Sequence, residues 1–376
     1  MNSRWNLINN LLLLAFTVIA VFVVTLIGNN NFYVDLGPIV AVFILGAILA
    51  AVVNTLVHEF GHVIAGKKNG FTFISMRIFL FTFVKLGKKL KVEFTGLREE
   101  LGETEMLPNS DENLEKRFIK MTKGGLIATT VLLVLSLVPL VTVSFMGAKL
   151  WWVYALTSMF FPVSVYFFFA NVLPMENEGL LNDGAVISGL KNGDAVSKVT
   201  VGLLKIHSEL MRGKSPAEID ESLFYDLPQL PEDNPNFTLL LNNRYAYELD
   251  KGDFEKVKKL SDRLEGLLDD MPKAYAGAVM ADLLYNACTF DFDEEKADNL
   301  VEDNERYLNG VNNFTNLRIK SAYLTYVVKD YALANEFISK AEREVDKCRV
   351  EGLKKYEQKL ISKIKRDLPK NEQVDA

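Results

Sequence analysis

His58-Glu59-Phe60-Gly61-His62 sets two imidazoles four residues apart around a carboxylate, inside a stretch from residue 38 to 65 that is otherwise apolar. On a helix, residues i and i+4 share one face, so both rings can converge on a single zinc ion. Glu59 is then placed to take a proton from the water that such an ion activates. The plainer alternative is a pair of core histidines hydrogen-bonded to neighbouring helices. That alternative leaves Glu59 as a buried charge without a partner. The chain's third histidine, His207, lies far along the sequence and reads as a surface residue.

Chemistry of this kind needs a rigid apolar scaffold, and the first half of the chain supplies one. Apolar runs cover residues 7–27, 38–65, 124–146 and 151–173, each near the roughly 20 residues needed to cross a bilayer. The first run lacks a small-x-small cleavage site and exceeds a usual signal h-region, so it reads as a retained helix. No such run occurs beyond about residue 191. The expected fold is mainly α: a polytopic membrane protein of about four transmembrane helices with a short β-hairpin, followed by a soluble α-helical repeat domain. The expected boundary divides residues 1–190 from residues 191–376.

Charge sets the expected orientation. Of the 14 Lys and Arg before residue 190, twelve lie between Lys67 and Lys123, which makes that loop cytoplasmic by the positive-inside rule. Four spans then place both termini in the cytoplasm of a multi-pass protein in the cell membrane. Phe32, Tyr33, Trp151, Trp152 and Tyr154 form the aromatic belt on the outer side, where only Lys149 is basic. His58 lies nine residues before Lys67, roughly 13 Å below the inner interface at 1.5 Å per residue. Polar groups at such depth are costly, and they mark function by default.

Between the spans, alternating aromatic residues from Phe71 to Lys85, followed by Gly87-Lys88-Lys89 and a strand through Val92 and Phe94, read as a β-hairpin. It reads either as a hairpin lying at the membrane surface and nothing more or as an edge that accepts an extended substrate by strand addition. Residues 99–115 read as a polar, acidic loop. Gly124 and Gly125 are expected to open the third span and to permit close helix packing. The fourth contains Pro162 and ends at Asn171-Val172-Leu173-Pro174, ahead of Asn182-Asp183-Gly184.

The second half carries 28 basic and 35 acidic residues, a net charge of −7 that argues against nucleic acid as a partner. Helix-turn signals around Phe254, Phe292 and Tyr331 recur at 38 and 39 residues. That period is close to a tetratricopeptide repeat, with residues 353–366 as a capping helix, although three turns of similar composition also arise in an ordinary helical bundle. Cys288 and Cys348 have no close cysteine partner in sequence and read as free thiols in a reducing compartment.

Taken together, His58-Glu59-x-x-His62, the paired glycines of the next span, and Asn171-x-x-Pro174 followed by Asp183-Gly184 resemble the site-2 protease family of intramembrane zinc metalloproteases, in its bacterial form. The resemblance covers about residues 38–190. It implies Asp183 as third zinc ligand, Glu59 as general base and Asn171 as a residue that helps hold the substrate backbone. Asn171 and Asp183 are twelve positions apart, more than in members with a compact motif. The extra loop carries Glu176 and Glu178, either of which is an alternative third ligand. Read alone, Asn-Asp-Gly is an ordinary turn, and Asn171 could simply end its helix before Pro174.

The implied activity is a zinc metalloendopeptidase cleaving membrane-embedded peptides or proteins near the cytoplasmic face, in regulated intramembrane proteolysis or peptide-precursor maturation. A cytoplasmic protein is the implied partner of the helical domain. The alternative is a catalytically inactive membrane adaptor that recruits partners through that domain.

Overall fold

The computed structural model describes residues 3–31, 36–86, 89–96, 101–146, 151–177, 180–271, 273–310 and 313–369. Phe32, Tyr33, Lys149 and Glu178 lie outside the described residues. The chain forms two compact units, Met1–Ser197 and Lys198–Ala376.

Four stretches of helix in the first unit are long and apolar enough to cross a membrane: Asn6–Leu26, Val40–Lys68, Leu114–Thr142 and Trp152–Val172. They belong to α1 (Ser3–Asn31), α2 (Leu36–Lys68), α3 (Leu114–Met146), and the pair α4 (Trp151–Ser158) and α5 (Phe160–Val172). The fourth stretch is thus broken at Met159, just before Pro162, whose ring is tolerated only in the first turn of a helix. Phe16 of α1 stacks on Phe169 of α5, and the Tyr154 hydroxyl of α4 donates to the Val24 carbonyl of α1. These contacts fasten the first span to the last. Leu7, Leu14, Ile44, Leu45, Ile127, Val134 and Val138 remain exposed, as side chains facing acyl chains would be.

The helix carrying Gly124 and Gly125 begins at Leu114, ten residues before the expected start. Basic residues 116–123, read in the sequence as loop, form its first turns. The two glycines lie inside the helix and set how closely it packs. A Cβ on Gly124 would meet the Gly61 carbonyl and Ala65, so α2 and α3 touch backbone to backbone there. Arg117 fixes the register of this pair at its other end by donating to the carbonyls of Asn69, Gly70, Ser110 and Glu112.

Four antiparallel strands follow α2, in the order β3-β2-β1-β4: β1 (Phe71–Ile78), β2 (Phe81–Leu86), β3 (Lys89–Phe94) and β4 (Gly102–Pro108). The aromatic stretch that reads as one strand is two, turned at Phe79, which takes a left-handed φ of 52°. The segment expected to be wholly loop contains β4. Its glutamates find partners on β1, where Arg77 pairs with Glu103 at 3.5 Å and Ser75 donates to Glu105 at 2.9 Å. Met106 and Leu107, farther along β4, are buried. Val63 of α2 packs against Met76 and Ile78 of β1, which holds the sheet on the helix. After α5, the short strands β5 (Glu176–Asn177) and β6 (Leu180–Leu181) lead into α6 (Asp183–Asn192).

The second unit is helical. Helix α7 (Ala195–Met211) enters it and α8 (Ser222–Tyr225) follows. Then come α9 (Pro235–Lys251), α10 (Phe254–Glu265), α11 (Lys273–Asn286), α12 (Glu294–Asp303), α13 (Glu305–Gly310), α14 (Phe314–Tyr323), α15 (Tyr331–Val345) and α16 (Glu351–Asp367). Three of its helix-helix turns share one design. A left-handed residue (Gly252, Phe292 or Lys329) precedes an aspartate (Asp253, Asp293 or Asp330) whose carboxylate caps the next helix by accepting from a backbone N–H three residues on. In this register Phe292 matches Gly252 and Lys329, two positions away from the alignment drawn through the aromatic residues. The core holds Arg318 of α14 and Glu357 of α16, paired at 2.6 Å and both buried, with the guanidinium over the Tyr285 ring. Cys288 is buried and Cys348 half-buried, and both are free.

Candidate metal centre

Helix α2 presents His58, Glu59 and His62 as buried residues. Each histidine uses Nδ1 for a neighbour on α3. His58 Nδ1 lies 2.8 Å from the Thr129 hydroxyl, which itself donates to the Gly125 carbonyl, and His62 Nδ1 lies 3.2 Å from the Met121 carbonyl. Because both partners accept, the ring protons sit on Nδ1 and both Nε2 lone pairs face inward. Gly125 makes room for this. A Cβ there would stand 2.5 Å from His62 Nε2 and 2.8 Å from His58 Cε1.

Asp183 is the first residue of α6, and its position is set by Asn182. The Asn182 amide donates to the carbonyls of Ala170 and Leu173, while its oxygen accepts from the N–H groups of Met175 and Ala185. One side chain therefore caps α6 and ties it to the end of α5. Gly184 completes the joint, since a Cβ there would strike the Val172 carbonyl. Each residue of Asn-Asp-Gly has a separate task, beyond what a turn requires.

The result is a triangle of ligand-type atoms. His58 Nε2 and His62 Nε2 are 3.1 Å apart, and Asp183 Oδ2 lies 3.3 Å from each. Four-coordinate zinc with bonds of about 2.0–2.1 Å separates its ligand atoms by about 3.3 Å. Asp183 Oδ2 is also buried without a hydrogen-bond donor. A single shared proton would satisfy one edge of such a triangle, whereas a cation satisfies all three atoms. The three residues can thus hold a metal ion.

Glu59 points across the same space. Its Oε2 accepts from the Thr104 hydroxyl of β4 at 2.6 Å, and Gly102 approaches so closely that a Cβ would stand 2.5 Å from Oε1. A cavity of about 840 Å³ opens on these groups and is also lined by Thr55, Tyr166, Asn171 and Glu176. Asn171 donates its amide to Phe167 of its own helix at 2.9 Å and turns toward the cavity. Glu176 lies in β5, where its backbone is held by Asn6 of α1, and it is not in the three-residue group. Thr104, Thr129, Gly125 in its role beside the histidines, and Asn182 were not singled out by sequence. Of these, Asn182 carried the readable signal, as a strong helix-capping residue next to the expected ligand.

No family model, curated protein or solved structure matches this chain.

Proposed function

We propose that the first unit is an intramembrane zinc endopeptidase of the site-2 protease type that cleaves membrane-embedded peptide or protein substrates. The observation that carries this reading is the triangle of two imidazole nitrogens and one carboxylate oxygen, 3.1–3.3 Å on a side, with an additional carboxylate beside it. His58, His62 and Asp183 would hold zinc, leaving a fourth position for water or substrate. When bound, zinc would supply Lewis acidity, lowering the pKa of water to about 7 and favouring negative charge on a polarised carbonyl oxygen.

The chain's own residues do the rest. Glu59 accepts the proton of the attacking water and later returns it to the leaving amine, while the Thr104 hydroxyl aims its carboxylate. A transmembrane substrate helix hides its carbonyls in hydrogen bonds, so it must unwind before cleavage, which favours substrates with Gly, Asn or Pro near the cut. The unwound segment has a template in β4, which pairs with β1 on one edge only and borders the cavity. Asn171 is the polar side chain placed to take a substrate carbonyl or N–H from the opposite wall. The lysine-bearing ends of α2 and α3 would face the cytoplasm, with both termini there. The recurrent left-handed residue and aspartate cap support a tetratricopeptide-like second unit that recruits a cytoplasmic partner.

The test is zinc content and cleavage of single-span substrates by the full chain in proteoliposomes. Wild type should carry one zinc, and His58→Ala and His62→Ala should lose it. Glu59→Gln should keep zinc yet lose about 10²–10⁴-fold in rate. Full zinc in both histidine variants, or wild-type cleavage by Glu59→Gln, overturns the proposal. Zinc bound without cleavage of any substrate would support the adaptor reading instead.

A further inference from the structure

We propose that the exposed face formed jointly by α2 and α3, on the side turned away from the histidines, binds an anionic phospholipid. This inference rests on α2 and α3 as membrane spans and does not depend on proteolysis. The two helices run antiparallel, as Gly61 against Gly124, Gly66 against Met121 and Asn69 against Arg117 show. On α2 the next residue after Gly61 is His62, and on α3 the next after Gly124 is Gly125, which meets His62. A step of about +100° on either helix therefore leads toward the metal centre, and a step of −100° leads to the opposite side of the pair.

That opposite side has a distinct pattern. On α3, residues at spacings of three and four form one row: Lys116, Lys120 and Lys123, all exposed, then Ile127 at 63%, Val131 at 54% and Val134 at 60% exposure. On α2 the matching row is Phe60, Ile64 and Lys67, again exposed. Both helices thus set cations directly above bare apolar side chains. From Lys123 to Val134 is about 16 Å of helix, close to the roughly 15 Å of one leaflet's acyl chain. A headgroup phosphate at the lysines would leave its chains lying along the aliphatic row.

The cations are also available. Lys67, Lys116, Lys120 and Lys123 make no ion pair among the described residues, although the second unit pairs many of its surface lysines. Arg117, by contrast, is committed to four backbone carbonyls and shapes the site without serving it. Lys116 and Lys120 line a cleft of about 590 Å³ together with Asn109, Ser110, Glu112 and Asn113. The cleft offers polar partners for the hydroxyls of a headgroup. A soluble anion would use the lysines but gain nothing from the apolar row, so the ligand that fits both is a lipid.

The experiment uses the full-length protein in mild detergent, with bound lipid read by native mass spectrometry against dioleoyl-phosphatidylglycerol, dioleoyl-phosphatidylcholine and free glycerol phosphate. Phosphatidylglycerol should be retained and the other two should not. With three lysines lost near an anionic surface, the triple variant Lys116→Gln, Lys120→Gln, Lys123→Gln should bind it about 100-fold more weakly. These side chains are exposed, so the variant should elute as a single species at the wild-type position. The double variant Ile127→Ser, Val131→Ser, which removes the exposed apolar row and keeps the charge, should also weaken retention. Equal retention of phosphatidylcholine, glycerol phosphate binding as tightly as the lipid, or unchanged binding in both variants would each overturn the proposal.

Discussion

Replacing Gly125 with alanine adds one methyl group at the point where α3 passes the two histidines. The new carbon would stand 2.5 Å from His62 Cε1 and Nε2 and 2.8 Å from His58 Cε1. Carbon contacts settle at about 3.5–4.0 Å, so the rings must retreat by about 1 Å. Metal ligands tolerate deviations of about 0.2 Å, and a shift of about 1 Å at a reacting group costs on the order of 100-fold in rate. Alanine is meanwhile the better helix former by about 1 kcal/mol, so α3 itself should not suffer. The variant should therefore fold with wild-type thermal stability measured without metal, yet bind zinc at least about 100-fold more weakly in competition with a chelator. Gly124→Ala makes an instructive contrast, because its methyl meets the backbone of α2 rather than ring edges. It should lower the melting temperature. A Gly125→Ala protein with wild-type zinc affinity and cleavage would refute the placement of the imidazoles over this glycine, and with it the metal geometry.

Asn182→Ala removes a helix cap and two donors to the end of α5, so it should cost about 2–4 kcal/mol in thermal unfolding and weaken zinc binding, because Asp183 loses its mooring. Glu357→Ala leaves Arg318 charged and buried; a loss of about 3–5 kcal/mol is expected, largely recovered when Arg318→Met is paired with Glu357→Leu. Burial pushes the Asp282 carboxyl up to about 7 even though part of the residue's surface stays accessible. An unfolded aspartate titrates near 4, so the folded chain holds the extra proton between these values and this residue costs stability as pH rises from about 4 to 7. Asp282→Asn should accordingly melt higher than wild type at pH 8, with the difference gone at pH 4.

The parts of the fold that were legible in the sequence are those governed by a local period. Four apolar runs and the i, i+4 histidines follow from helix geometry alone, and the triangle with Asp183 places together residues 125 positions apart that had been paired by motif. What eluded the sequence depended on neighbours. The segment holding β4 looked like loop because Glu103 and Glu105 are charged, yet across the strand pair they meet Arg77 and Ser75. The first turns of α3 looked like loop because lysines precede the apolar run, and nothing local shows that Arg117 will be anchored on the end of α2. Asn182 was visible as a turn residue, but its four hydrogen bonds, all to groups between Ala170 and Ala185, exist only once the chain has folded α6 back against the end of α5.

The shared turn of the second unit leaves a lever for engineering. Gly252 adopts the left-handed backbone at no cost, whereas Phe292 and Lys329 hold φ values of 50° and 63° with full side chains. Such a conformation costs an L-residue about 1–2 kcal/mol, and glycine gives back about 1 kcal/mol through a freer unfolded chain. Glycine at 292 and 329 would thus tend to raise the chain's thermal tolerance by small increments, while removing an aromatic ring that is 68% exposed. Those two positions, distant in sequence from His58, His62 and Asp183, are where a hardier version of this protein for membrane reconstitution is most cheaply made.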